Sequence, residues 1–87
     1  MIKLLHSKQF DKHFDILSDK FKIKVEERLL IFVVNEFEPI LNNHLLHGEY
    51  AGCKSINITG DIRLIYKKVD SSTCRLIAVG THSQLFE

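Results

Sequence analysis

The residues with chemistry to offer collect in the second half of the chain. His44 and His47 lie in "NNHLLHGEYAG", Arg63 in "IRLIYKK" and His82 in the closing "GTHSQLF". An imidazole titrates near neutrality and can give or take a proton there, and a guanidinium presents paired planar donors that match phosphate oxygens. From position 44 to position 82, five Lys or Arg (Lys54, Arg63, Lys67, Lys68, Arg75) stand against three acids (Glu49, Asp61, Asp70). This half is locally positive, and such a set suits a phosphodiester. Plainer readings stand beside it. A histidine in a small domain is more often a surface group than a catalyst, Arg63 has Asp61 or a helix carboxylate as an ion-pair partner, and Phe86 could simply cap the core.

Other chemistries are less favoured. His44 and His47 with a cysteine fit no compact zinc site, so neither a metal nor a cofactor is expected. Cys53 and Cys74 read as small buried thiols on neighbouring strands in a reducing compartment. Over the whole chain, 12 Lys and Arg against 11 Asp and Glu give a net charge of +1. That balance makes no overall electrostatic case for nucleic acid or a membrane surface, and only a local patch can. No segment approaches the roughly 18 apolar residues of a membrane span and no signal-peptide run opens the chain, so a cytoplasmic protein without membrane partners is expected.

The elements that must position these groups follow from periodicity. With 87 residues, 45% of them apolar, one domain over 1–87 is expected. After a short apolar start at 2–5, Phe10, Phe14, Leu17 and Phe21 recur at spacings of four, three and four and line one face of a helix, with Ser7 as its N-cap. Ser18 and Asp19 break it. Val25, Leu29, Phe32 and Val33 mark a second helix, which Pro39 ends by forcing Glu38 into an extended conformation. Seven basic and seven acidic residues up to position 43 give these helices solvated polar faces.

The period then changes to two. In "CKSINI", Ile56 and Ile58 alternate with Ser55 and Asn57; "TGD" is a turn; in "IRLIYKKV", Ile62, Leu64 and Tyr66 oppose Arg63, Ile65 and Lys67. Asp70, Ser71 and Ser72 make the next turn, and 74–80 is a third strand. The expected fold is α+β: an antiparallel meander joined by the N-terminal strand, with two helices on one face. Parity places Arg63, Ser55 and Asn57 on the other face, a shallow polar surface to which the last strand delivers His82.

Taken in order behind two helices, "HLLHGEYAG", "GDIRLIYKK" and "VGTHSQLF" resemble the RelE/ParE superfamily of bacterial toxins, and most closely its YafQ-type branch. The resemblance spans the layout of the whole chain and is sharpest at Gly80-Thr81-His82 followed by Leu85-Phe86. It implies a type II toxin that cleaves mRNA in the ribosomal A site without a metal and is held inactive by a cognate antitoxin. The implied reaction is attack of the ribose 2′-hydroxyl on the adjacent phosphate, which needs a base, an acid and positive charge.

By that resemblance His82 is the principal acid or base, Asp61 a partner base or orienting group, and His44 a group that holds or protonates phosphate. Arg63 matches an arginine that stabilises the transition state in RelE-type members. Phe86 places a base or ribose, and Lys54, Asn57 and His47 complete the RNA-binding set. Lys54 ranks below Arg63, because alternation from Ile56 turns it to the helix side. Three positions depart from the YafQ-type pattern: Asn57 replaces a histidine and cannot transfer a proton in that role, Ile62 replaces an aromatic residue, and Tyr50 replaces a tryptophan and is read as packing. Two other functions share the fold: a ParE-like gyrase inhibitor and a catalytically degenerate antitoxin-binding member.

Overall fold

The computed structural model describes residues 1–86. Strand β1 (Lys3–His6) leads into helices α1 (Lys8–Asp15) and α2 (Asp19–Val34), then strands β2 (His44–Leu45), β3 (Lys54–Asn57), β4 (Ile62–Asp70) and β5 (Thr73–Thr81), and finally helix α3 (His82–Phe86). The strands form one five-stranded sheet in the order β1-β5-β4-β3-β2. Only the β1–β5 pair is parallel. The meander expected from the sequence is present and β1 joins it, while β2 adds an edge inside what reads as a loop.

Both long helices begin where a serine can cap them. Ser7 Oγ accepts from Phe10 N–H at 3.0 Å, and Ser18 Oγ accepts from Phe21 N–H at 3.4 Å, each satisfying a donor that the first turn leaves without a partner. The 10-14-17-21 stripe is therefore shared by two helices: α1 stops at Asp15, and Phe21 belongs to α2. All four side chains still border the core, with Phe10 buried and the others packed against it. Helix α2 ends at Val34 with Asn35 extended, before the proline acts. Pro39 instead opens a single 3-10 turn, Pro39–Leu41, where its fixed φ and missing N–H are tolerated.

Between the helices and the sheet lies the main core, including Val25, Phe32, Leu41, Ile56, Leu64, Tyr66 and Leu76. Phe32 meets the Tyr66 ring edge to face at 4.7 Å. The phenol of Tyr66, at 0% exposure, has protein partners on both sides: Asn43 Nδ2 donates to it at 2.7 Å, it donates to Glu36 Oε2 at 3.3 Å, and Lys68 Nζ donates to Glu36 Oε1 at 2.8 Å. Burial pushes the phenol well above its ordinary value.

The opposite face of the sheet departs from expectation. It is not a shallow polar surface throughout: Ile65 and Ala78 are fully buried there beneath Leu46, Cys53, Tyr50 and Leu85, which make a second, smaller core. Cys53 belongs to this cluster and Cys74 to the main one. Both thiols are free and buried, but they lie on opposite faces of the sheet, and Cys53 precedes β3, with β4 standing between it and Cys74 on β5, so they are not on neighbouring strands.

A bulge in β5 makes this second core possible. Ile65 pairs with Ala78 and Tyr66 with Leu76, so Ile77 is extra. Two residues of β5 then face one of β4 and the alternation of β5 shifts by one. Beyond the bulge Val79 enters the main core and Gly80 lies across from Arg63 on the open face. No helix among the described residues is long and apolar enough to cross a membrane.

Candidate active site on the open sheet face

Asn57, Arg63 and Gly80 are register partners on three adjacent strands. Residues directly opposite in neighbouring strands share a face, so these three form a row near one end of the sheet. Arg63 is half-buried. Its Nη1 donates to the carbonyls of Thr59 at 3.0 Å and Ile62 at 3.4 Å, which ties one corner of the guanidinium to the β3–β4 hairpin. Ion pairing with Asp61, the plainer reading of Arg63, does not occur among the described residues.

Thr59 organises that hairpin, a role its place in a turn motif did not reveal. Its hydroxyl accepts from the N–H groups of Asp61 at 3.3 Å and Ile62 at 3.0 Å. Asp61 is exposed at the turn, and its carbonyl accepts from His82 N–H at 3.3 Å. The candidate base and the candidate acid are thus joined through the main chain, although 21 positions separate them in sequence numbering.

His82 does not end a strand. It opens α3, a one-turn helix that folds back over the open face and buries Leu85 in the second core. The exposed His82 ring lies 4.8 Å from the Phe86 ring, and Phe86 meets Tyr50 edge to face at 5.9 Å. Phe86 remains 37% exposed, so the aromatic group is both anchored and accessible. Tyr50 packs, as its sequence context suggests, and desolvation by burial raises its phenol above the ordinary value.

Of the remaining candidates, His44 starts β2 across from Ser55. Its Nδ1 donates to Asn42 carbonyl at 2.8 Å, which leaves Nε2 as the free ring nitrogen. His44 stands three strands from β5, about 14 Å at the usual strand spacing. The structure therefore does not gather it with His82 around one atom. His47 is exposed in the loop before the 3-10 turn Gly48–Tyr50. Lys54 is on the helix side, opposite Tyr66 in register, with Nζ 5.6 Å from the Phe37 ring centroid, as alternation requires. It is not brought together with the row of Arg63.

Two polar atoms of this face lack partners. Ser55 Oγ and Asn57 Oδ1 are buried without a hydrogen bond, in a position where such groups ordinarily find one. Lower on the same face, Lys67 and Arg75 stand directly opposite each other, and neither is in an ion pair among the described residues. Like charges in register work against the sheet, so this pair adds positive charge to the face without adding stability. Among the described residues no three His, Cys, Asp or Glu side chains come together as a metal site would need.

Two helices on a five-stranded, mostly antiparallel sheet, with a histidine-bearing tail folded over the open face, make this a RelE-like toxin fold. The chain belongs to the family described as bacterial toxins of type II toxin-antitoxin systems, YafQ, whose model matches residues 2–87. The crystal structure of YafQ from E. coli superimposes with a TM-score of 0.82 at 22% identity, with 100% of both chains covered. A copper-bound mutant toxin from Helicobacter pylori gives 0.74 at 29% identity, covering 99% of this chain and 100% of that one. YafQ in the E. coli DinJ-YafQ complex gives 0.74 at 24% identity and full coverage of both. No curated protein matches the chain in sequence.

Proposed function

We propose that this toxin is an mRNA interferase that cuts ribosome-bound message by attack of a ribose 2′-oxygen on the adjacent phosphorus. The observation that carries the reading is the corner where His82, its ring tilted against Phe86, is hydrogen-bonded through its backbone to Asp61 beside the row of Arg63. It brings a proton carrier, a carboxylate, a cation and an aromatic platform to one end of an otherwise basic face.

The 2′-oxygen forms its bond to phosphorus as the bond to the 5′-oxygen breaks, leaving a 2′,3′-cyclic phosphate and a 5′-hydroxyl. Asp61 takes or orients the 2′-hydroxyl proton, since Asn57 has no proton to exchange, and protonated His82 supplies one to the leaving oxygen. The free donors of Arg63 stabilise the crowded phosphorane. Phe86 stacks a base or ribose. His44 and His47 hold neighbouring phosphates rather than the scissile one, and Lys67 and Arg75 continue the backbone path. The nucleophile belongs to the substrate, so the residues need no metal. A cognate antitoxin is the expected partner, as in the DinJ-YafQ complex of the E. coli relative.

The test is a cell-free translation reaction with cut sites mapped by primer extension, run with wild type and His82→Ala. Discrete cuts on translated message that fall by about tenfold to a thousandfold in the variant are expected. Intact message with a folded wild-type protein refutes the reading and turns attention to a gyrase supercoiling assay.

A further inference from the structure

Strand β5 passes into α3 with no residue between them, and a closed pair of hydrogen bonds holds the corner. Thr81 N–H donates to Gln84 Oε1 at 2.8 Å, and Gln84 N–H donates to Thr81 Oγ1 at 3.1 Å. This is the reciprocal arrangement of a capping box, in which an N-cap hydroxyl and the side chain three residues on satisfy each other's backbone donors. His82 is the first residue inside the box, and its own N–H is held by Asp61 carbonyl. The amides of 81, 82 and 84 are all committed, which leaves the backbone under the imidazole little freedom.

The box matters because α3 has little else. A helix of five residues does not hold itself together in water, and Leu85 is its one buried side chain. Gly80 completes the arrangement. A Cβ on it would lie 2.9 Å from Gln84 Oε1, so an alanine there would have to push the end of the glutamine side chain away from the place where it accepts from Thr81 N–H.

We propose that Gln84 is a positioning residue of the site: through Thr81 it fixes the corner that sets the His82 ring against Phe86, and Gly80 is bare to admit it. For its effect on cleavage this rests on the ribonuclease reading; for its effect on geometry it does not. Gln84→Ala removes the acceptor, Gly80→Ala obstructs it, and Gln84→Glu restores an acceptor of the same reach.

The experiment measures His82 ring-proton shifts and Thr81 amide exchange by NMR in the four proteins, alongside single-turnover and steady-state cleavage. In Gln84→Ala and Gly80→Ala the ring shifts imposed by Phe86 collapse toward solvent values, and Thr81 exchange quickens by about fivefold to tenfold. The Gln84→Ala kcat falls by about tenfold to a hundredfold with KM unchanged, as for a displaced catalytic group, and Gln84→Glu recovers both. Unchanged His82 shifts and Thr81 protection in Gln84→Ala overturn the proposal, as does a loss confined to KM, which would make Gln84 an RNA contact. If the wild type cleaves nothing, the ribonuclease reading falls, and the shift and exchange comparison alone decides the positioning claim.

Discussion

Tyr66→Phe separates a buried hydroxyl from the ring that carries it. The ring keeps its contact with Phe32, so no cavity larger than one oxygen opens. Two hydrogen bonds are lost, one from Asn43 at 2.7 Å and one to the Glu36 carboxylate at 3.3 Å. Neither partner is abandoned: Asn43 still donates to Glu36 carbonyl at 2.9 Å, and Glu36 still accepts from Lys68. The cost at pH 7 is then about 2 kcal/mol, near the middle of the range for a buried bond involving a charged group.

The sign of the pH dependence follows from the phenol. Its folded-state value is raised above the ordinary 10.0 by burial first of all, so its stabilisation is complete below pH 10 and is lost as the pH rises. Above pH 10 the wild type loses about 1.36 kcal/mol per pH unit through this group, and the variant loses nothing through it. The difference of about 2 kcal/mol should therefore vanish near pH 11.5. Contributions of Lys68 and Tyr50, whose values are also raised, are common to both proteins at this level and drop out of the comparison. Urea unfolding of both at pH 7, 9, 10 and 11 measures it. A gap that stays constant through pH 11, or no gap at pH 7, refutes the argument that the hydroxyl is a buried, obligatorily protonated partner.

Arg63→Ala should lower cleavage by about tenfold to a thousandfold, measured by primer extension, and Arg63→Lys should recover only part because a single ammonium does not reproduce the planar donors. Phe86→Ala, placed on the His82→Ala background where cleavage is expected to be slow, should weaken binding of a short single-stranded RNA by about 1–3 kcal/mol, read by fluorescence anisotropy. Asp70 accepts from Ser72 N–H at 2.9 Å, and that backbone bond, first among its hydrogen bonds in the turn, holds its carboxyl below the ordinary 3.8. Its contribution is present above that value and lost as the pH falls, so thermal melts of Asp70→Asn and wild type should differ at pH 7 and converge at pH 2–3.

Much of the scaffold was legible in the sequence because its signals are local. Ser7 caps where the apolar stripe begins, and the alternation around Ile56 and Leu64 by itself assigns Arg63 and Asn57 to one face. What escaped is what depends on counting across strands. Phe21 keeps the period of α1 although Ser18 starts a new helix, because a cap interrupts hydrogen bonding without disturbing the spacing. Ile65 reads as an open-face residue, and it is one, but nothing local says that Leu46 and Leu85 return to cover it. Thr59 and Gln84 are ordinary polar residues in sequence, and their work is done by hydrogen bonds that exist only once the turn and the corner have closed.

The extra residue at Ile77 has a consequence beyond the packing of one strand. Side chains of a strand obey a parity, and an insertion of one changes even to odd for everything downstream. With Ile77 out of step, Val79 faces the helices and Gly80 the open side. Pair the same letters without the bulge and Gly80, with the tail behind it, would turn toward the layer of α1 and α2, whereas deleting Ile77 itself would leave Gly80 opposite Arg63. Which surface of this protein carries His82 is therefore written as a count modulo two, and a regular ladder that absorbed Ile77 as an ordinary paired residue would put the site on the wrong side of the sheet with every site side chain intact.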